Sequence, residues 1–190
     1  MAHSKYSTLC FLISEAPSGE DDKVFSLFSE DFGFMRAHAK SIRKLGAKLG
    51  GTFKKGALLR TTLLKGKEYW RVLEVEEIDA LSFRSAGYRV FLRGVKLLKT
   101  LIHGEETNHL LFAYLRSMFN CLLSLEEEKE KDAEIIFSLQ ILYSLGYVAV
   151  LPETERMLEM NGEALDTVLQ DDERKKLVGI INKGIHASHL

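Results

Sequence analysis

Cysteine and proline are scarce in this chain, with two of each among 190 residues. Cys10 and Cys121 stand far apart in apolar surroundings, so no disulfide framework is expected and a reducing compartment, the cytoplasm, suits them. Long hydrophobic runs are missing too. The apolar stretch near the start, Leu9 to Ile13, is far too short to cross a bilayer, and no small-residue cleavage pattern accompanies it. The chain has no P-loop, no G-x-S-x-G, no dinucleotide fingerprint and no paired-cysteine zinc knuckle. Gly19-Glu20-Asp21-Asp22 gathers carboxylates, but in a turn between strands they read as solvated loop charges. A metal-dependent enzyme built on Glu20, Asp21 and Asp22 is the weakest reading. His186 and His189 have no carboxylate or cysteine to complete a metal site. These absences argue against an enzyme, a cofactor, a metal, a small-molecule substrate and a membrane partner.

One further absence is informative. From Arg36 to Arg71 the chain carries eleven Lys or Arg and a single acid, Glu68. From Gly104 to the end, sixteen Asp or Glu face eight Lys or Arg. The formal net charge of −1 conceals this separation. Like charges in a nearly acid-free run repel one another, so the run is expected to meet a polyanion, and nucleic acid is the polyanion such a segment most often serves.

Periodicity divides the chain at about residue 80. Ser7 to Ser14 is a β-favouring run, broken at Ala16-Pro17-Ser18-Gly19, and Lys23 to Ser29 is a second. Gly33 to Ala39 is a third, with Phe34, Arg36 and His38 on one face and Met35, Ala37 and Ala39 on the other. The basic segment Ser41 to Gly51 follows; Gly46, Gly50 and Gly51 argue against a long helix there, leaving room for one turn around Ile42 to Leu45. Phe53 to Leu64 and Glu68 to Ile78 form a hairpin-like pair around Lys65-Gly66-Lys67. Five short strands predict an α+β chain whose residues 1–80 form a five-stranded oligonucleotide-binding (OB) barrel. Residues 81–190 are expected to be a helical domain.

In that second half Phe91, Val95, Leu98 and Ile102 form an apolar helical stripe, with Arg89, Arg93 and Lys96 opposite. Asn108 is placed to cap a second helix running to Leu125, apolar nearly all round. The stretch EEEKEKDAE, Glu126 to Glu134, reads as a solvated connection, with docking to a basic partner or mimicry of DNA as the alternatives. Ala133 to Leu145 is a third helix stopped at Gly146. Two amphipathic segments, Glu163 to Leu169 and Asp172 to Ile185, close the chain.

The basic segment supplies the candidate site. Arg36, Lys40, Arg43, Lys44, Lys48, Lys54, Lys55 and Arg60 are candidate nucleic-acid-binding residues, and Arg89, Arg93 and Lys96 extend the set or simply form a solvated helix face. Glycines beside the charges let backbone amides approach phosphates. Phe34 and Phe53 read as core residues. Tyr69 and Trp70 are adjacent on a strand, so one of them points outward and is available to stack on a base.

Phe11 to Gly51, FLISEAPSGEDDKVFSLFSEDFGFMRAHAKSIRKLGAKLGG, resembles the RecO family of DNA repair proteins, with Glu20, Asp22, Leu27, Phe28, Gly33, Ala39, Lys40 and Arg43 at matching positions. IIFSLQILYSLGY, Ile135 to Tyr147, is similar to the family's helix ending in Leu-Gly-Tyr. The resemblance implies a barrel followed by a helical domain and binding of single- and double-stranded DNA. It also implies annealing of complementary strands, and partnership with RecR and single-strand binding protein so that RecA can load. On matching positions the resemblance implies Lys40, Arg43 and Lys44 as DNA contacts. Ser41 stands where the family usually has Gly. Val148 to Leu158 lacks the cysteines of the zinc module that many members carry, and the chain is shorter than is usual. The expected function is that of a non-enzymatic, cytoplasmic, nucleoid-associated recombination mediator. The rivals are an RNA-binding barrel protein and a protein-protein adaptor whose basic face docks an acidic partner.

Overall fold

The computed structural model of the chain describes residues 4–40, 42, 51–66, 69–102, 104, 106–159 and 169–188. Five strands come first: β1 (Lys5–Ser18), β2 (Asp22–Ser29), β3 (Gly33–Ala39), β4 (Ala57–Lys65) and β5 (Trp70–Ala80). Four helices follow among the described residues: α1 (Ala86–Leu101), α2 (His109–Leu122), α3 (Glu130–Ser144) and α4 (Asp171–Ala187). Residues 1–80 with 103–109 form one compact unit, and 81–102 with 110–190 form another.

The strands close in the order β1-β2-β3-β5-β4, with β4 returning to β1. Every pairing is antiparallel except β3 with β5. This is an OB-like barrel. Its interior is filled by Leu12, Phe25, Leu27, Met35, Leu59, Leu63 and Trp70, the side chains that alternation turns inward. Phe53, in the loop before β4, stacks on Phe25 with ring centroids 4.0 Å apart, so the core role read for it holds.

The first strand is longer than its sequence suggests. The break expected at Ala16-Pro17 does not occur: β1 continues to Ser18, with Pro17 opposite Lys23. The reason is that β1 serves two neighbours in turn. Lys5 to Phe11 pairs with β4, and Cys10 to Ser18 pairs with β2, with a register shift between Leu12 and Ser14. Beyond Phe11 the β4 side of β1 makes no ladder, so the missing N–H of Pro17 leaves nothing unpaired. β4, conversely, starts at Ala57 rather than Phe53.

Cys10 is fully buried, its Sγ 3.1 Å from Thr61 Oγ1. Burial pushes its thiol up to about 12, with the Thr61 contact pulling the other way. It is a packing residue and chemically inert while the barrel is folded. The β2–β3 turn is held by Ser29, whose Oγ accepts from Phe32 N at 3.1 Å and donates to the Gly33 carbonyl at 3.2 Å.

In the helical unit, α3 packs against α1 and α4. Phe91 of α1 meets Phe119 of α2 edge-on at 5.7 Å and Phe137 of α3 at 6.1 Å. Of the α1 stripe, Phe91, Val95 and Leu98 are buried. Ile102 is instead the extended residue that ends the helix, and Leu101 takes its place inside. α2 stops at Leu122 rather than Leu125. α3 terminates at Gly146 (φ +81), with Tyr147 N donating to Leu142 O and Gly146 N to Tyr143 O, both at 2.9 Å. The amphipathic segment read at Glu163 to Leu169 lies, up to residue 168, outside the described residues.

Gly33 combines two demands. Its φ of +64 suits only glycine without strain, and a Cβ there would collide with the carbonyl oxygen of Glu106. Gly33→Ala is therefore expected to destabilise the barrel by at least about 2 kcal/mol. A thermal melt should show Tm lowered by roughly 5 °C or more; an unchanged Tm would contradict this packing.

Candidate nucleic-acid interface

Alternation along β3 puts Phe34, Arg36 and His38 on one face, as read from sequence, and that face is turned away from the barrel interior. Arg36 is exposed, and Phe34 is half-buried, so the core role read for it does not hold in the barrel interior. The register then sets their neighbours. Arg36 lies opposite Ser26 of β2, and His38 lies between Val24 of β2 and Arg71 of β5. Tyr69, just before β5, brings its ring 4.4 Å from His38 and is 41% exposed. Trp70, the next residue, points inward against Tyr6 and Phe32 at 5.6 and 4.8 Å. Of the two aromatics left open by the sequence, Tyr69 is thus the one on the surface.

Arg36 and Lys40 are exposed, and neither pairs with a carboxylate among the described residues; the same is true of Lys55. Lys54 Nζ sits 3.2 Å from Glu77, and Arg60 Nη1 sits 3.3 Å from Glu76. Both are solvent-facing pairs of small net worth, which a phosphate can replace. Arg43, Lys44 and Lys48, with Gly46 and Gly50, lie outside the described residues. Among the described residues the unpaired positive charge of the set lies at Arg36, Lys40 and Lys55. Towards β4 and β5 it is diluted, because Glu74 and Glu76 face Thr62 and Arg60 across the ladder. Arg71 belongs to the basic run but not to the candidates. The β3–β5 pairing sets it beside His38, and its Nε is buried without a hydrogen-bond partner among the described residues. Strand order, which local sequence does not encode, is the signal that was lacking.

The second set divides. Arg89 Nε donates to both Glu130 oxygens at 3.1 Å, its Nη2 engages Glu127 and Glu130, and its Nη1 donates to the Arg84 carbonyl at 2.6 Å. Arg93 Nη2 donates to Glu130 at 2.6 Å, and its Nε stands 2.9 Å from Glu134. Both arginines bind their own unit's carboxylates; of this stripe only Lys96 is exposed and without such a partner among the described residues.

The same geometry corrects the reading of Glu126 to Glu134 as a solvated connection. The segment forms a 3-10 turn at Glu127–Lys129 and then the first turn of α3. Hydrogen bonds from Arg89 and Arg93 hold the Glu130 carboxyl down to about 2, against an ordinary 4.5. Asp132 is buried, and its carboxylate accepts from Arg174 Nε at 2.6 Å, Arg174 Nη2 at 3.0 Å and Leu169 N at 3.1 Å. Burial alone would raise its pKa, but the guanidinium and the amide together hold it below the usual value.

Several curated proteins similar to this chain share one description. The DNA repair protein RecO of Thermodesulfovibrio yellowstonii is 29% identical over 149 residues, 75% of this chain and 58% of the relative. RecO of Chlorobium limicola is 26% identical over 184 residues, 93% of this chain and 68% of the relative. The chain is a distant relative of RecO. A third RecO, from Dehalococcoides mccartyi, is 29% identical over 155 residues, 78% of this chain and 59% of the relative. The chain thus spans under two thirds of the T. yellowstonii RecO. No protein-family model matches it. Among the described residues no helix is long and apolar enough to cross a membrane, and no group of three or more His, Cys, Asp or Glu is arranged to hold a metal ion.

Two outcomes follow from the ion pairs. Glu130 and Asp132 have folded-state pKa values depressed below their unfolded ones, so their stabilisation is complete above about pH 4.5 and is lost as pH falls through the folded values. Chemical denaturation between pH 6 and pH 2 should show the helical unit weakening below pH 4.5. Asp132→Asn should lower stability at pH 7 and flatten that acid slope, and an unchanged slope would contradict the pairing. In addition, Arg93→Ala should lower Tm yet leave oligonucleotide affinity within about twofold, since this charge is already neutralised by Glu130 and Glu134.

Proposed function

We propose that this chain is a non-enzymatic, DNA-binding mediator of recombinational repair, acting in the cytoplasm at the nucleoid. The observation that carries the reading is the run of eleven basic residues against one acid from Arg36 to Arg71, carried on an OB-like barrel. In this reading Arg36, Lys40, Arg43, Lys44, Lys48, Lys54, Lys55 and Arg60 neutralise backbone phosphates, and Lys96 is a secondary contact. Arg89 and Arg93, named with Lys96 from the sequence, are assigned to the architecture of the helical unit instead. Such contacts carry no base identity, so single and double strands are both bound. Screening the repulsion between two complementary strands while leaving base edges free is also what promotes their annealing. The likeness to RecO supports RecR and single-strand binding protein as partners, and loading of RecA as the step served.

Fluorescence anisotropy of a labelled single-stranded oligonucleotide, titrated at several salt concentrations, tests the site. The log-log salt slope is expected to be about −0.7 per phosphate neutralised. Lys40→Glu/Arg43→Glu/Lys44→Glu, shown to be folded by circular dichroism, should bind more weakly and with a shallower slope. Equal binding by the folded variant would remove the named site and favour the adaptor reading. Equal or tighter binding of RNA of matched sequence would favour the RNA-binding reading.

A further inference from the structure

Phe83 is the most exposed large hydrophobic side chain among the described residues, with 71% of its surface open to solvent. It lies in the helical unit, in the turn that enters α1. An isolated exposed phenylalanine needs no explanation; this one is not isolated. The Arg84 guanidinium lies 5.2 Å over its ring, and Tyr88, one turn into α1, meets it edge-on at 5.4 Å. Arg84 pairs with no carboxylate among the described residues, while Glu127 is engaged by Arg89. The turn is also held in place. Arg84 has a φ of +68, the single non-glycine residue with positive φ among the described residues. Its carbonyl accepts from Arg89 Nη1, Ser85 N donates to Ser82 O at 3.0 Å, and Ser85 Oγ caps Tyr88 N at 3.1 Å.

An L-residue in the left-handed region persists only where its surroundings insist on it, and such strain is commonest where a side chain is being presented to something. Here the surroundings insist on holding a cationic side chain over an exposed ring. That pairing suits a flat, electron-rich, negatively tethered ligand: an unstacked nucleobase, with the guanidinium available to its phosphate. A duplex hides its base faces in the stack, so this platform serves single strands.

We infer that Phe83, with Arg84 over it and Tyr88 beside it, is a base-stacking platform for single-stranded nucleic acid. It is built in the helical unit and is distinct in sequence and chemistry from the basic barrel segment. The inference rests on the nucleic-acid-binding reading above and adds to it a site that discriminates single strands from duplex.

The test compares wild type, Phe83→Ala, Phe83→Trp and Arg84→Gly for binding to three labelled probes. The probes are a single-stranded oligothymidine, an abasic strand of the same length, and a duplex. Phe83→Ala should lose about fivefold to a hundredfold in affinity for oligothymidine, with no change in salt slope, because stacking releases no counterions. Its affinity for the abasic strand and the duplex should match wild type. Phe83→Trp should retain affinity, and its added indole emission should be quenched by oligothymidine. Arg84→Gly should weaken oligothymidine binding without lowering Tm, since glycine relieves the backbone strain; a residue with only a structural role would not behave so. If wild type binds oligothymidine but Phe83→Ala binds it equally well, the platform is disproved while the barrel site stands, and the ring is left as a surface for a protein partner. If wild type binds none of the probes, both readings fall together.

Discussion

The barrel closes through a short joint. β3 and β5 run parallel and share only the pairs Ala37–Trp70 and His38–Arg71, whereas every other junction is an antiparallel ladder of seven or more pairs. Two pairs of a parallel ladder contribute little by themselves. What holds the joint is the side chain beneath it. Trp70 is buried, packs against Tyr6 and Phe32, and has the Lys65 ammonium 5.3 Å from its ring. The outward register of β3 and the meeting of His38, Tyr69 and Arg71 depend on that closure. So does the direction in which the chain leaves Ala39 towards Lys40. The candidate surface is thus positioned by an indole that never reaches it.

Charge is separated for different reasons in the two units. In the helical unit six of the acids among the described residues are held by arginines of the same unit: Glu127, Glu130 and Glu134 by Arg89 and Arg93, Asp132 and Asp171 by Arg174, Glu173 by Arg156. Of these, Asp132 with Arg174 is the most sheltered, because the aspartate is buried and all of its bonds are directional. Such a pair contributes less through its own attraction than through the cost of any arrangement that leaves the buried carboxylate unpaired, so it specifies how α3 and α4 pack. In the barrel, by contrast, the excess is confined to one run, Arg36 to Arg71, with eleven Lys or Arg against one acid. Surplus charge of one sign in a nearly acid-free run opposes compactness, and a polyanion relieves it.

The strands are legible in the sequence because period two survives in short segments. Gly33 to Ala39 reads with its observed bounds and faces, since every second residue there is apolar and small or flexible. Pro17 misleads as a breaker because its harmlessness depends on β1 losing one neighbour halfway along, which is a property of topology. The acidic stretch misleads because its partners are tertiary: Glu130 is met by Arg89, forty-one residues away in the chain. From local sequence, a run of carboxylates looks the same whether it faces water or an arginine. Phe83 escapes notice for the converse reason, since an apolar residue reads as core until exposure is known.

Taken together, the two candidate contacts leave the hydrogen-bonding edges of the bases free. In the proposed reading, phosphate contacts from the barrel would engage the backbone, and the stacking platform would engage a base through its face. A protein that gripped the Watson–Crick edges would bind single strands well but would have to release them before a complement could pair. One that holds backbone and face alone allows pairing to begin on the bound strand, at bases the platform does not cover. As the duplex forms, the covered base is withdrawn into the stack and the platform loses its ligand, while the phosphate contacts persist. On that proposal, affinity for the product would be lower than for the separated strand by the stacking term, the sign that release after annealing requires.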